Sequence, residues 1–103
     1  VEYYTQALAM YREISQGADT KDIANTLLNL GQNYSIMKQY DKAVEYYTQA
    51  LAVYREISQG ADTEDTAVIL RALGDTYQKM KLYDKAVENL TQALGAFPVF
   101  FKR

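Results

Sequence analysis

The feature that most limits how this chain can fold is an internal repeat of 43 residues. Over the comparison of residues 1–43 with 44–86, 31 positions are identical and 12 differ, and a third, partial copy begins with VENLTQAL at Val87. The first twenty residues return at 44–63 with a single change, from Met10 to Val53. A period of this length is typical of solenoids built from pairs of helices.

The spacing of apolar residues predicts two amphipathic helices in each unit. In the segment that follows Asp41, apolar side chains recur at intervals of three and four, as on one face of an α-helix, whereas a strand would alternate by two. The members of this stripe are Ala43, Tyr47, Ala50, Leu51, Tyr54 and Ile57. The sequence therefore predicts an all-α chain of five helices, at about residues 2–16, 22–38, 41–58, 65–81 and 84–97.

Residues suited to helix ends fall between these segments. Gly17 and Gly60 follow the long helices and are expected to stop them. Side chains able to accept from the first free N–H groups precede the other four helices. These expected N-caps are Thr20, Asp41, Thr63 and Asp84.

Composition argues against several classes of function. The net charge is -2 with both signs mixed along the chain, so we expect no binding to nucleic acid or to a membrane surface. No stretch approaches the roughly 20 apolar residues of a membrane span. Histidine and cysteine are both missing, and no glycine-rich phosphate loop occurs. We therefore expect no catalytic residues, no cofactor and no metal site, hence no enzyme, while the compartment stays open.

Two runs of residues resemble the tetratricopeptide signature, in which small and large side chains alternate between two antiparallel helices. The first run is Leu27, Leu30, Gly31, Tyr34, Tyr40, Ala43, Tyr47 and Ala50. The second is Leu70, Leu73, Gly74, Tyr77, Tyr83, Ala86, Leu90 and Ala93, followed by Pro98. Small residues such as Gly31 let two helix axes approach, while Tyr47 fills the space between layers; Leu90 in place of an aromatic is a mild departure.

The resemblance implies an α-α superhelix in which the first helix of each pair lines a concave groove that holds a protein or peptide partner. It divides the chain into a half repeat at 1–19, repeats at 20–62 and 63–97, and a tail at 98–103. The extended second helix is similar to the kinesin-light-chain-type variety. Since the pattern is already under way at Val1, which is not a methionine, we expect the chain to be a truncated piece of a longer protein.

The differences between the two copies indicate which surface contacts the partner. Nine of the twelve lie within 22–38, and most of these form a stripe displaced from the apolar face. Either the groove diverged to contact successive parts of a ligand, or exposed positions drifted after duplication, and one chain leaves both interpretations open. The predicted partner-binding residues are Asn25, Leu28, Asn29, Gln32, Ser35, Ile36, Val68, Arg71, Asp75, Gln78 and Lys79.

Asn29 is the sharpest candidate in this set. It stands two residues before Gly31, where several tetratricopeptide families place an asparagine that hydrogen-bonds a peptide backbone, but the second copy has Ala72 there. Arg71 and Lys79 suit an acidic partner group, unless Asp75, one turn from both, pairs with them.

Other conspicuous residues are expected to be structural. We predict that the tyrosines at framework positions are core residues: Tyr4, Tyr11, Tyr47 and Tyr54. The acidic stretch Asp62, Glu64 and Asp65 is expected to favour a helix N-terminus.

Both ends of the chain carry apolar residues, which raises a second functional hypothesis. The first helix presents Ile14 and the tail presents Phe97, Val99, Phe100 and Phe101. Homotypic assembly through exposed terminal helices, by end-to-end stacking or by exchange of near-identical helices, is the alternative to partner binding.

Overall fold

The computed structural model describes residues 1–14, 20–61 and 63–95 and contains five α-helices. They are α1 Glu2–Ile14, α2 Lys21–Ile36, α3 Tyr40–Ile57, α4 Glu64–Lys79 and α5 Tyr83–Gly95. The part of the chain that is described contains no strand, and the predicted all-α class is confirmed. Predicted and observed ends differ by one or two residues, the ordinary scatter of helix termini. Gly17, Pro98 and the apolar tail lie outside the described residues.

The helices pack in chain order as layered pairs. The main pairs are α2 with α3 and α4 with α5, while α1 packs on α2 and α3 packs on α4. The dimensions, 42 × 31 × 16 Å, are those of a flat stack. Since each helix contacts chiefly its sequence neighbours, the described residues form a helical repeat and not a bundle closed about one centre.

The close approach predicted at two glycines is confirmed. A Cβ atom placed on Gly31 would lie 2.7 Å from Cδ1 and Cε1 of Tyr47, and one placed on Gly74 would lie 2.6 Å from Cγ of Leu90. Such distances are far inside van der Waals contact, so glycine sets the separation of the two helices in each pair. The leucines Leu27, Leu30 and Leu70 are fully buried around these contacts.

Two of the four predicted N-caps are correct. The Thr20 side chain accepts from the N–H of Ile23, and Thr63 accepts from Thr66 N–H in a reciprocal capping box. The prediction is wrong for Asp41 and Asp84, which lie inside the first turns of α3 and α5. Each of these helices begins one residue earlier than predicted, so the carboxylate acts on the helix dipole and does not cap.

The helices end in left-handed turns that mostly lack glycine. Lys38, Gln59 and Lys81 have φ of 61°, 57° and 64°. After α2, Lys38 N–H donates to Ser35 and Gln39 N–H donates to Tyr34, the paired bonds of a Schellman motif. Gly60 follows α3 as predicted, with φ 85°, but it stands one residue beyond Gln59, the first left-handed position.

The prediction of core tyrosines is right for α3 and only partly right for α1. Tyr47 and Tyr54 are buried and Tyr4 is half-buried, but Tyr11 is exposed. The reason is that α3 packs between α2 and α4, whereas α1 has α2 as its main neighbour among the described helices. Tyr54 of α3 packs against α2, whereas no described helix packs in the same way against Tyr11 of α1.

Candidate functional site

The predicted partner-binding residues form one solvent-accessible set on α2 and α4, named here the divergent surface. Eight of the eleven are exposed, three are half-buried and none is buried. The exposed members are Asn25, Gln32, Ile36, Val68, Arg71, Asp75, Gln78 and Lys79, and the half-buried members are Leu28, Asn29 and Ser35. Two of the exposed members are large and apolar, Ile36 at 79% and Val68 at 48% exposure.

Two of the nine differences within 22–38 lie in the core and not on a surface. Ile23 and Thr26 are buried in α2, and their counterparts Thr66 and Ile69 are buried in α4. The copies thus exchange one isoleucine and one threonine between neighbouring core positions, which keeps the total side-chain volume constant. Divergence between the copies therefore follows core packing as well as solvent exposure.

Two tyrosines of α3 lie on the side that faces both α2 and α4. Burial raises the pKa of Tyr47, and the carboxylate of Asp75 on α4 raises it further. Burial and then Asp65 act in the same direction on the pKa of Tyr54. Since the Tyr47 ring also lies against Gly31 of α2, this side chain packs between α2 and the part of α4 that carries Asp75.

Asn25 is held by the protein itself. The hydroxyl of Tyr54 donates a hydrogen bond to Oδ1 of Asn25, which links α3 to the first turns of α2. The next copy has Val68 at this position and Phe97, outside the described residues, in place of Tyr54. Asn25 is thus partly a framework residue, which sequence periodicity alone did not reveal.

The side-chain amide of Asn29 makes no hydrogen bond to any described residue. Its backbone carbonyl accepts from Nδ2 of Asn33 at 2.8 Å, as the carbonyl of Ala72 accepts from Oγ1 of Thr76 at 2.7 Å. At both positions, the backbone carbonyl therefore has a hydrogen-bond donor from a side chain of the same helix. The half-buried amide of Asn29 keeps its donors and its acceptor for another molecule.

The charged residues of α4 do not neutralise one another. Within the described part of the chain, Arg71, Asp75 and Lys79 make no ion pair, so the internal pairing considered for Asp75 does not occur. The Lys79 ammonium instead lies 6.0 Å from the ring centroid of Tyr40. Arg71 is left free to meet a carboxylate.

A cleft of about 420 Å³ lies beside Arg71, between α4 and α5. Val68, Leu90, Ala93 and Leu94 supply its apolar lining, while Glu64 and Arg71 are its charged residues. The α5 contribution was missed by sequence reasoning, which placed the site on the first helix of each pair alone. Leu94 is 53% exposed, although its repeat counterpart Leu51 in α3 is 8% exposed. The apolar surface that the next helix pair covers on α3 is therefore open on α5.

The described residues carry neither a metal-binding cluster nor a membrane-spanning helix. No three His, Cys, Asp or Glu side chains of the described segments are grouped so that they would hold a metal ion. None of the five helices, over the residues seen here, is long and apolar enough to cross a membrane.

A family model described as tetratricopeptide repeat matches the sequence twice, over residues 1–56 and 22–98. The two matches together span nearly the whole chain. No curated protein matches it significantly.

Proposed function

Because this chain belongs to the tetratricopeptide repeat family, whose members are non-enzymatic modules for protein–protein interaction, we propose that its divergent surface binds a segment of a partner protein. The 43-residue unit and the 18-residue α3 support a place among the longer, kinesin-light-chain-type repeats of that family. The surface offers the groups that recognition of a peptide needs. These are exposed apolar side chains, unpaired charges and a free amide.

The cleft beside Arg71 is the observation that carries the proposal. Its lining from Val68 and Leu94 suits one apolar side chain of a guest, and the Arg71 guanidinium suits a neighbouring carboxylate, which it can bind through two parallel hydrogen bonds. Asn29, on the preceding helix pair, would contact the guest backbone. The partner segment we propose therefore carries an apolar residue next to an acidic one.

A peptide-library binding screen tests this proposal. Arg71→Glu and Asn29→Ala should each weaken the best binders by roughly tenfold, because each removes a contact that the guest makes on binding. Arg55→Glu makes the same change of charge on α3, at a residue that is not a member of the divergent surface, and serves as the matched control. If no peptide distinguished the wild-type chain from Arg71→Glu and Asn29→Ala, the assignment of the divergent surface would be abandoned.

Homotypic assembly is our second proposal, and the exposed apolar faces of α1 and α5 support it. Met10 of α1 is 61% exposed and Leu94 of α5 is 53% exposed, whereas their α3 counterparts Val53 and Leu51 are both 8% exposed. A second copy of the chain would cover both faces. Light scattering over a concentration series should show growth that Met10→Lys and Leu94→Lys abolish. A monomer at every concentration would remove this proposal and leave partner binding intact.

A further inference from the structure

Four lysines surround the two short turns of the array, at the end opposite the long α3–α4 connection. We name Lys38, Lys42, Lys81 and Lys85 the turn edge. The first pair lines a cleft of about 440 Å³ and the second pair an equivalent cleft of about 400 Å³. Met80, from the second turn, lines the first cleft too, so the two turns are adjacent.

The turn edge concentrates positive charge in a chain whose net charge is -2. Its four lysines stand beside two carboxylates, Asp41 and Asp84, so the edge is positive while the remainder of the chain is acidic. The other basic residues of the described part are not members of this set: Arg12, Lys21, Arg55, Arg71 and Lys79. Of these, Lys79 adjoins the edge from the divergent surface.

The four lysines of the turn edge form no ion pair with a described carboxylate. All four are exposed. Nζ of Lys42 lies 5.5 Å from the ring centroid of Tyr34, and Nζ of Lys85 lies 5.6 Å from that of Tyr77. A tyrosine face attracts an ammonium group but does not neutralise its charge, so N–H donors that point away from the ring stay available to acceptors on another molecule.

The backbone conformation of the turns fixes where two of these four lysines lie. Lys38 and Lys81 occupy left-handed positions, which glycine adopts most easily and which cost other residues about 1 kcal/mol or more. Both turns place a lysine at the tip, where the side chain extends from the end of the helix pair.

From this arrangement we infer that the turn edge binds an acidic segment of a partner protein, at a site distinct from the cleft beside Arg71. Separate carboxylate groups suit the turn edge, because each lysine ammonium is a compact point charge. The 43-residue repeat places an equivalent pair of lysines at each of the two turns. A nucleic acid fits less well, since its continuous phosphate backbone would run past Asp41, Asp84 and the acidic remainder of the chain.

Fluorescence anisotropy with a labelled oligoglutamate peptide tests the inference, with oligoglutamine as the uncharged comparison. Lys38→Gln with Lys81→Gln should weaken binding roughly tenfold, since two exposed charge contacts are lost. Glutamine suits both positions, because Gln59 already adopts the same left-handed conformation. Lys21→Gln with Arg55→Gln gives the same net charge and should change binding by about twofold or less. Circular dichroism establishes that both variants fold.

Each outcome of this experiment decides the question. Selective loss in the Lys38 and Lys81 variant, with no effect of Arg71→Glu, supports a separate acidic-segment site. Equal loss in both double variants would mean that only overall charge matters and would overturn the inference. Absence of oligoglutamate binding at low salt, or its displacement by duplex DNA at lower concentration than by unlabelled peptide, would overturn it as well.

Discussion

The ring of Tyr47 lies so close to Gly31 that the space between α2 and α3 leaves no room for a methyl group on the glycine. A Cβ atom there would be 2.7 Å from two ring carbons, and the ring is buried, which prevents it from retreating. This contact sets the distance between α2 and α3, and it holds Tyr47 near Asp75, a member of the divergent surface. Stability and the form of the candidate site therefore depend on the same pair of residues.

Gly31→Ala should destabilise the chain by about 1–3 kcal/mol, because overpacking exceeds the gain of about 1 kcal/mol in helix propensity. The midpoint of urea-induced unfolding measures the effect. Gly95→Ala is the matched control: nothing lies within 4 Å of a Cβ atom at that position, so its stability should stay equal or rise slightly. A Gly31→Ala chain as stable as wild type would show that the helices separate easily and would contradict the packing described here.

Much of this core could be predicted from sequence, and the reason is physical. A repeat of 43 residues with glycine at one position and a bulky residue sixteen positions later requires close helix pairs, whether the bulky partner is Tyr47 or Leu90. The five helices and the threonine caps follow from periodicity and side-chain chemistry in the same way. These properties depend on residues close together in sequence, and the same residues recur in each copy of the repeat.

What could not be predicted depends on neighbours or on backbone geometry. The left-handed turns at Lys38 and Lys81 lack the glycine that usually marks them, so the sequence does not show the residue at which each following helix begins. The α4–α5 cleft depends on which faces are covered in three dimensions. The bond from Tyr54 to Asn25 joins residues 29 positions apart, beyond the reach of a pattern within one helix.

Lys38→Gly and Lys81→Gly should each stabilise the chain by about 0.5–1 kcal/mol, because glycine relieves the left-handed strain. Thermal unfolding followed by circular dichroism checks this. Lys42→Gly removes the same charge inside the first turn of α3, where glycine is unfavourable, and should lower stability by up to about 1 kcal/mol. The same sign for the Lys38 and Lys42 variants would show that charge, and not backbone strain, determines the effect.

Stability should fall in alkaline solution, and Tyr47 should account for a measurable part of the loss. Its pKa is raised by burial and then by Asp75, so the phenol stays protonated in the folded chain. The contribution is present in full below the ordinary tyrosine pKa of about 10 and is lost as pH rises from there through the folded-state value. Unfolding midpoints measured from pH 8 to 11 should therefore decline less steeply in Tyr47→Phe than in wild type.

Tyr3→Phe is the control for this measurement, since Tyr3 is 79% exposed and its phenol is not buried on folding. The slope of its unfolding midpoint against pH should match that of wild type. An identical slope in the Tyr47→Phe chain would mean that this buried phenol does not resist ionisation.

The two copies carry isoleucine and threonine in opposite order, as Ile23 with Thr26 and as Thr66 with Ile69. This arrangement limits how recombination can combine the copies. Near-identical copies invite unequal crossover, yet a breakpoint between the two positions would produce one first helix with two buried hydroxyls and another with two bulky isoleucines. Recombinants that separate the two positions should be less stable, because the volume of their core side chains changes. A consensus design that averages each column independently would break this linkage, although every residue it chose occurs in the natural chain.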